Sequence, residues 1–219
     1  MSIQIKICGL TNVEEAIACA EAGASAIGFI FYPPSPRFVN LGDARIIREA
    51  LPSSVTPVGV FVDLPVEEVI LTARKVGLKT VQLHGNESIF AVRVLQQEGL
   101  RVIKVLRSSG RQLLLEAEEY SLADCLLVEA GHGALPGGNG STWLWSEAKP
   151  LAERMPYILA GGLTAKNISD ALRDSGASAV DVSSGAECSP GRKDIQKVKD
   201  IISKVRDFTP TTKTGVIFP

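Results

Sequence analysis

An excess of charge is missing from this chain. Its 23 Lys and Arg stand against 24 Asp and Glu in 219 residues, a net charge of −1. So balanced a chain is not expected to bind nucleic acid or an anionic membrane surface. Paired cysteines are missing too: Cys8, Cys19, Cys125 and Cys188 are far apart, with no C-x-x-C spacing. That argues against a zinc knuckle or a disulfide framework and for a reducing, cytoplasmic setting. No apolar run approaches the length of a membrane span, and strand-like sequence begins at the third residue with no basic apolar leader before it. What remains is a chain with 45% hydrophobic residues, long enough for one large domain or two small ones.

An internal repeat narrows the architecture. Shifted by 153 positions without a gap, the stretch 5–26 matches 158–179 at nine places. Ile5, Gly9, Leu10, Thr11, Ala18, Gly23, Ala24, Ser25 and Ala26 recur as Ile158, Gly162, Leu163, Thr164, Ala171, Gly176, Ala177, Ser178 and Ala179. Each copy reads as strand, Gly-Leu-Thr turn, helix with a Thr N-cap, Gly stop and strand, a βαβ unit. Both copies are expected to be built alike.

The same grammar fills the space between them. Strand-like runs fall near 3–8, 26–31, 57–62, 80–84, 101–106, 125–129, 157–160 and 179–183. Helical spacing follows in Val13, Ala16, Ile17 and Ala20, in Val66, Val69, Ile70 and Ala73, in Ile168, Ala171 and Leu172, and in Ile195, Val198, Ile202 and Val205. Gly23, Gly77, Gly99 and Gly176 mark helix ends. Segments 41–51 and 109–119 are expected helices with less regular spacing, and 142–154, with Trp143 and Trp145, also looks helical. Eight strands alternating with helices, at about twenty-five residues per unit, describe a small (β/α)₈ barrel of parallel strands rather than an open doubly wound sheet. The barrel is expected over residues 1–206, with 207–219, rich in Thr and Pro, as a loose tail.

In such a barrel all strand ends meet at one mouth. Cys8 closes the first strand, and alternation puts it on one face with Gln4 and Lys6, opposite Ile3, Ile5 and Ile7. An ammonium beside a thiol favours the thiolate. The fourth strand closes with Gln82 and His84 on one face, and the sixth buries a run ending in Glu129. His84 reads either as a structural hydrogen-bonder or as a catalytic group. Gly161 and Gly162 open a helix, and Ser183, Ser184 and Gly185 follow the last strand, where these barrels usually cradle phosphate. Asp181 precedes them as a hydroxyl acceptor or a loop cap. Three prolines stiffen 32–38 around Arg37, whose planar fork suits a carboxylate, and the glycines of 131–140 permit a mobile lid.

Lys6-Ile7-Cys8-Gly9-Leu10, Ser35-Pro36-Arg37, Gln82-Leu83-His84-Gly85, Gly137-Gly138-Asn139-Gly140, Gly161-Gly162-Leu163 and Asp181-Val182-Ser183-Ser184-Gly185 strongly resemble the phosphoribosylanthranilate isomerase family of tryptophan biosynthesis, across about residues 3–206. The resemblance implies an Amadori rearrangement of N-(5′-phosphoribosyl)anthranilate, with no cofactor and no metal. It assigns the general base to Cys8, with Lys6 lowering its pKa, and the general acid to Glu129. Lys6, Arg37, Gln82, His84 and Asp181 are expected to contact substrate, with Arg37 on the anthranilate carboxylate. Gly161, Gly162, Ser183, Ser184 and Gly185 are expected to hold phosphate. The expected partner is this small phosphosugar-anthranilate, and the expected assembly a homodimer. The chain departs from the pattern where Glu129 stands in place of the usual aspartate and Asn139 in place of a threonine. The alternatives are the related Amadori enzyme of histidine biosynthesis, which uses an aspartate where Cys8 stands, and a barrel that binds a phosphosugar without turning it over.

Overall fold

Apolar runs buried on both faces and helices stopped by glycine close into a ring. The computed structural model describes residues 2–107, 110–129, 143–210 and 215–219. Its strands are β1 (Gln4–Cys8), β2 (Ala26–Ile30), β3 (Thr56–Phe61), β4 (Thr80–Leu83), β5 (Arg101–Leu106), β6 (Cys125–Val128), β7 (Tyr157–Leu159) and β8 (Ala179–Val182). They form a closed parallel barrel in sequence order, with β8 pairing back on β1 through Ile5↔Val180 and Ile7↔Val182. The (β/α)₈ barrel read from the sequence is therefore the fold.

Two buried layers explain the strand composition. Ile5, Ile7, Ile27, Phe29, Val81, Leu83, Val102, Leu126, Val128, Val180 and Val182 pack in the layer shared with the helices. The residues between them, Ala26, Val58, Ile103, Val105, Cys125, Leu127, Ile158 and Ala179, form a second cluster inside the ring. Burial of both faces is why these strands read as continuous hydrophobic runs.

The helices are α1 (Val13–Ala22), α2 (Leu41–Ala50), α3 (Val66–Val76), α4 (Ile89–Gln97), α5 (Gly110–Glu119), α6 (Lys149–Ala152), α7 (Ile168–Ser175) and α8 (Ile195–Asp207). The irregular segments do form helices, but α2 buries only Ala44 and Ile47, and α5 only Leu113 and Ala117, so little periodicity is imposed on them. The segment around Trp143 is shorter than expected: a 3₁₀ turn at Trp145–Ala148 leads directly into the four-residue α6. A two-stranded ribbon, β9 (Glu187–Ser189) with β10 (Arg192–Lys193), intervenes between β8 and α8 and carries no counterpart in the sequence reading.

The repeat copies share their glycine stops, Gly23 and Gly176 both being left-handed, but not their caps. Asn12 rather than Thr11 caps α1, its side chain accepting from Glu15 N at 2.9 Å. In the second copy α7 begins at Ile168, which aligns with Glu15, two residues inside α1. Asn167 holds the intervening turn by accepting from Thr164 N at 2.8 Å.

The end of the tail also differs from the loose segment expected. Ile217 and Phe218 are buried in the cluster inside the barrel. Gln4 Oε1 accepts from Ile217 N at 2.7 Å and from Phe218 N at 3.0 Å, its Nε2 donates to Phe218 O at 2.6 Å, and Thr56 Oγ1 donates to Pro219 O at 2.8 Å. Gln4 and Thr56 begin their strands, so the tail closes the end of the barrel opposite Cys8. Two apolar side chains outweigh the flexibility suggested by Thr and Pro because the ring interior offers them full burial.

Candidate active site

Parity along β1 sends Gln4, Lys6 and Cys8 into the barrel, as expected, and all of Lys6 is buried. An ammonium there needs a partner, and Asp181 of β8 supplies it: Lys6 Nζ lies 2.9 Å from both carboxylate oxygens. The pair changes what Lys6 does for Cys8. Burial pushes the thiol above its ordinary pKa, Lys6 opposes this, and Asp181 reinforces it, so the net shift is upward. The lowering expected from Lys6 is thus overcome, first by burial of the thiol and then by Asp181, which matches the ammonium. Room for both side chains comes from Gly28 on the neighbouring strand, where a Cβ would stand 2.7 Å from Cys8 Sγ and 3.1 Å from Lys6 Cε.

Across the mouth, three expected residues form a chain. Gln82 Nε2 is 3.0 Å from His84 Nδ1, and His84 Nε2 is 2.8 Å from Glu129 Oε1. All three are buried, and Gln82 Oε1 has no hydrogen-bond partner among the described residues. Glu129 follows β6 and its N–H donates to Leu106 O at 3.1 Å, which fixes the backbone behind its carboxylate.

Arg37 is buried and already holds one carboxylate. Its Nε and Nη2 donate to Glu187 Oε1 and Oε2 at 2.8 and 2.7 Å, and Lys193 Nζ donates to the same Oε1 at 2.7 Å. Burial would raise the Glu187 pKa, but Arg37 and Lys193 outweigh it and hold Glu187 below its ordinary value. Glu187 takes the side edge of the guanidinium. The end fork, made by Nη1 and the second N–H of Nη2, has no partner among the described residues and suits another planar anion.

The expected phosphate residues come together. Gly161 and Gly162 follow β7 with φ of 94° and 65°. Ser183, Ser184 and Gly185 follow β8, and Ser183 Oγ donates to Cys8 O at 3.1 Å, tying this loop to the strand that bears the thiol. Gly185 lies so close to the Leu163 carbonyl that no side chain fits between the two loops. The N–H groups of Gly161, Gly162, Ser184 and Gly185 find no acceptor among the described residues. Clustered free amides of this kind suit an anion.

Sequence reasoning passed over Glu187 and Lys193 as well as the buried pair of Lys104 and Glu87, 2.8 Å apart behind the His84 loop. The glycine-rich stretch 131–140 with Asn139, read as a lid, lies outside the described residues. Among the described residues no three His, Cys, Asp or Glu side chains are placed to hold a metal ion, and no helix is long and apolar enough to cross a membrane.

A thiol, a buried carboxylate and an anion-sized cradle around one barrel mouth define a (β/α)₈-barrel enzyme of small-molecule chemistry. Comparison with known proteins makes the class specific. The family model of N-(5′-phosphoribosyl)anthranilate isomerase matches residues 5–204. The N-(5′-phosphoribosyl)anthranilate isomerase of Desulfatibacillum aliphaticivorans is 45% identical over 216 residues, covering 99% of this chain and 96% of that one. The crystal structure of phosphoribosyl anthranilate isomerase from Thermotoga maritima, a dimeric protein, superposes with a TM-score of 0.86 at 37% identity, covering 93% of this chain and 98% of that one. A phosphoribosyl anthranilate isomerase solved with reduced 1-(o-carboxyphenylamino)-1-deoxyribulose 5-phosphate superposes at 0.83 and 36%, with the same coverage. The chain belongs to the N-(5′-phosphoribosyl)anthranilate isomerase family.

Proposed function

We propose that the chain catalyses the Amadori rearrangement of N-(5′-phosphoribosyl)anthranilate in tryptophan biosynthesis, with Cys8 as general base and Glu129 as general acid. The observation that carries the assignment of roles is the placement of Cys8 at the end of β1 and Glu129 at the end of β6, both opening on the mouth of a barrel of this family. The substrate carries an anion at each end. Its phosphate fits the free amides of Gly161, Gly162, Ser184 and Gly185, with the Ser183 hydroxyl holding that loop to Cys8 O, and its carboxylate fits the end fork of Arg37. Lys6 and Asp181 then flank the ribose between them.

Glu129 protonates the furanose oxygen as the anilino nitrogen's lone pair forms C=N, so the C1′–O bond breaks and its electron pair stays on the oxygen. The resulting iminium acidifies the C2′ hydrogen. Cys8 removes that proton, the C–H pair becomes C1′=C2′, and the C=N pair returns to nitrogen. Loss of the 2′-hydroxyl proton and protonation of C1′ complete the ketone. A thiol held above its ordinary pKa suits this sequence, because the positive iminium beside it favours the thiolate at the moment the base is needed.

Glutamate at 129 reaches about 1.5 Å further than aspartate, one bond length. Here that reach ends in the hydrogen bond to His84. A homodimer belongs to the same reading, since the Thermotoga maritima relative is dimeric, and sedimentation at twice the 23.3 kDa chain mass tests it. The test of the reaction is loss of substrate fluorescence with phosphoribosylanthranilate made in situ. Turnover by the chain that disappears in Cys8→Ser and Glu129→Gln supports the roles, and full activity in either variant removes that residue's role.

A further inference from the structure

We infer that Gln82 and His84 are positioning residues that act through Glu129, fixing which of its carboxyl oxygens carries the transferable proton. The inference rests on the reading of Glu129 as the general acid.

The tautomer follows from the order of the groups. An amide nitrogen donates and does not accept, so with Gln82 Nε2 at 3.0 Å, His84 Nδ1 is the bare, accepting nitrogen. The ring proton then sits on Nε2 and is donated to Glu129 Oε1 at 2.8 Å. In a protonated carboxyl the oxygen that accepts is the carbonyl oxygen. The acid's own proton is therefore on Oε2, which has no hydrogen-bond partner among the described residues and is free to face substrate.

The bond to His84 also changes strength during the reaction. While Glu129 is protonated it joins two neutral groups. Once the proton has left Oε2 for the ring oxygen, the same N–H···Oε1 bond ends on a carboxylate and is about twice as strong. An interaction that strengthens toward the transition state lowers the barrier to proton donation. His84 itself neither gains nor loses a proton.

Gln82 decides between two arrangements. Its Oε1 is buried without a partner among the described residues, and the bond to His84 is the one hydrogen bond that side chain makes to them. Rotating the amide by half a turn presents Oε1 to Nδ1 and moves the ring proton there. Nε2 becomes bare, and Glu129 has to aim its proton into the protein instead of at the mouth.

The charges around this chain of groups come from several elements. Arg107, after β5, donates from Nη2 to His84 O at 3.1 Å. Lys104 and Glu87 pair at 2.8 Å, and Lys104 Nζ also donates to Gly85 O at 2.8 Å. Asp63, after β3, accepts from Asn86 N at 2.6 Å. On the other side of the mouth stand Cys8 and the Lys6–Asp181 pair.

The test is nitrogen NMR of ¹⁵N-histidine-labelled protein together with pH–rate profiles. The chain has two histidines, His84 and His132, so His84→Gln assigns the spectrum by difference. The expected signature is a His84 ring with bare Nδ1 and protonated Nε2. His84→Leu is expected to lower kcat roughly 10- to 100-fold, the effect of one charge-assisted hydrogen bond. It also moves the limb at which activity is lost by deprotonation of the acid to higher pH, because a donor that favours the anion is gone. His84→Gln, whose amide nitrogen restores a donor to Oε1, should recover most of kcat and return the limb. A His84 ring protonated on Nδ1, or a fall in kcat in His84→Leu with the limb unmoved, overturns the inference. Full activity in Glu129→Gln instead removes the reading on which it rests, whatever the tautomer, so the two failures are told apart.

Discussion

Lys6 Nζ stands 2.9 Å from each carboxylate oxygen of Asp181, so the ammonium on the Cys8 face of β1 is matched before any substrate arrives. Burial raises the pKa of the thiol above its ordinary value, and Asp181 adds to the rise against Lys6.

That balance predicts a pH dependence. A base works only when deprotonated, so with a raised pKa kcat/KM in the free enzyme should climb with pH through and beyond the usual thiol value of about 8.5. Lys6→Met removes the larger of the two charges, Lys6 and Lys193, that oppose the shift and should move this limb to higher pH. Asp181→Asn removes a charge that adds to it and should move the limb lower, with a rise in KM expected from the proposed ribose contact. Profiles of kcat/KM against pH for the three proteins check the order.

Gly28→Ala should damage the site without replacing a catalytic group. Its Cβ meets Cys8 Sγ at 2.7 Å and Lys6 Cε at 3.1 Å, and both are hemmed in by the barrel. Overpacking of this kind costs about 1–3 kcal/mol, and displacement of the thiol should lower kcat roughly 100-fold. Thermal unfolding and steady-state kinetics measure the two effects separately.

Arg37→Lys keeps the charge but loses the fork that holds Glu187 on one edge and leaves the other free. Substrate KM should rise about 10- to 100-fold with a smaller change in kcat, since a bidentate contact to a carboxylate is made in the ground state and the transition state alike. Ser184→Asp, which puts a negative charge in the amide cradle, should act on KM in the same direction.

Phe218→Ala tests the closed base of the barrel. Removing a buried phenylalanine costs about 3–5 kcal/mol, which in a chain of this size lowers Tm by roughly 6–20 °C. Because Phe218 lies at the opposite end of the barrel from Cys8, kcat and KM of the folded variant should stay unchanged. An unaltered melting curve would show that the tail does not contribute to the folded state.

Much of this protein was legible in its sequence because the signals are local. Ile5 and Ile7 against Lys6 and Cys8 encode a strand with one apolar face and one chemical face, and Gly23 and Gly176 encode left-handed helix ends. The parts that escaped depend on partners distant in the chain. Glu187 looks like a surface carboxylate until Arg37, 150 residues away, and Lys193 close on it. Ile217 and Phe218 follow a segment of Thr and Pro, and nothing local says that Gln4, at the start of the chain, will receive them. The cap on α1 shows a smaller case: Thr11 and Asn12 both have the chemistry, and Thr11 is drawn off to Gly191 O, its hydroxyl donating at 3.2 Å.

The central claim is that Glu129, reaching across from β6, supplies the proton that opens the ribose ring. The most direct measurement is the rate of fluorescence loss from phosphoribosylanthranilate with the chain and with its Glu129→Gln variant, both folded to the same thermal stability. The account predicts turnover by the chain and a fall of about 10²- to 10⁴-fold in the variant, the usual contribution of a general acid. Equal rates for the two proteins, or no turnover by the chain itself, would contradict it.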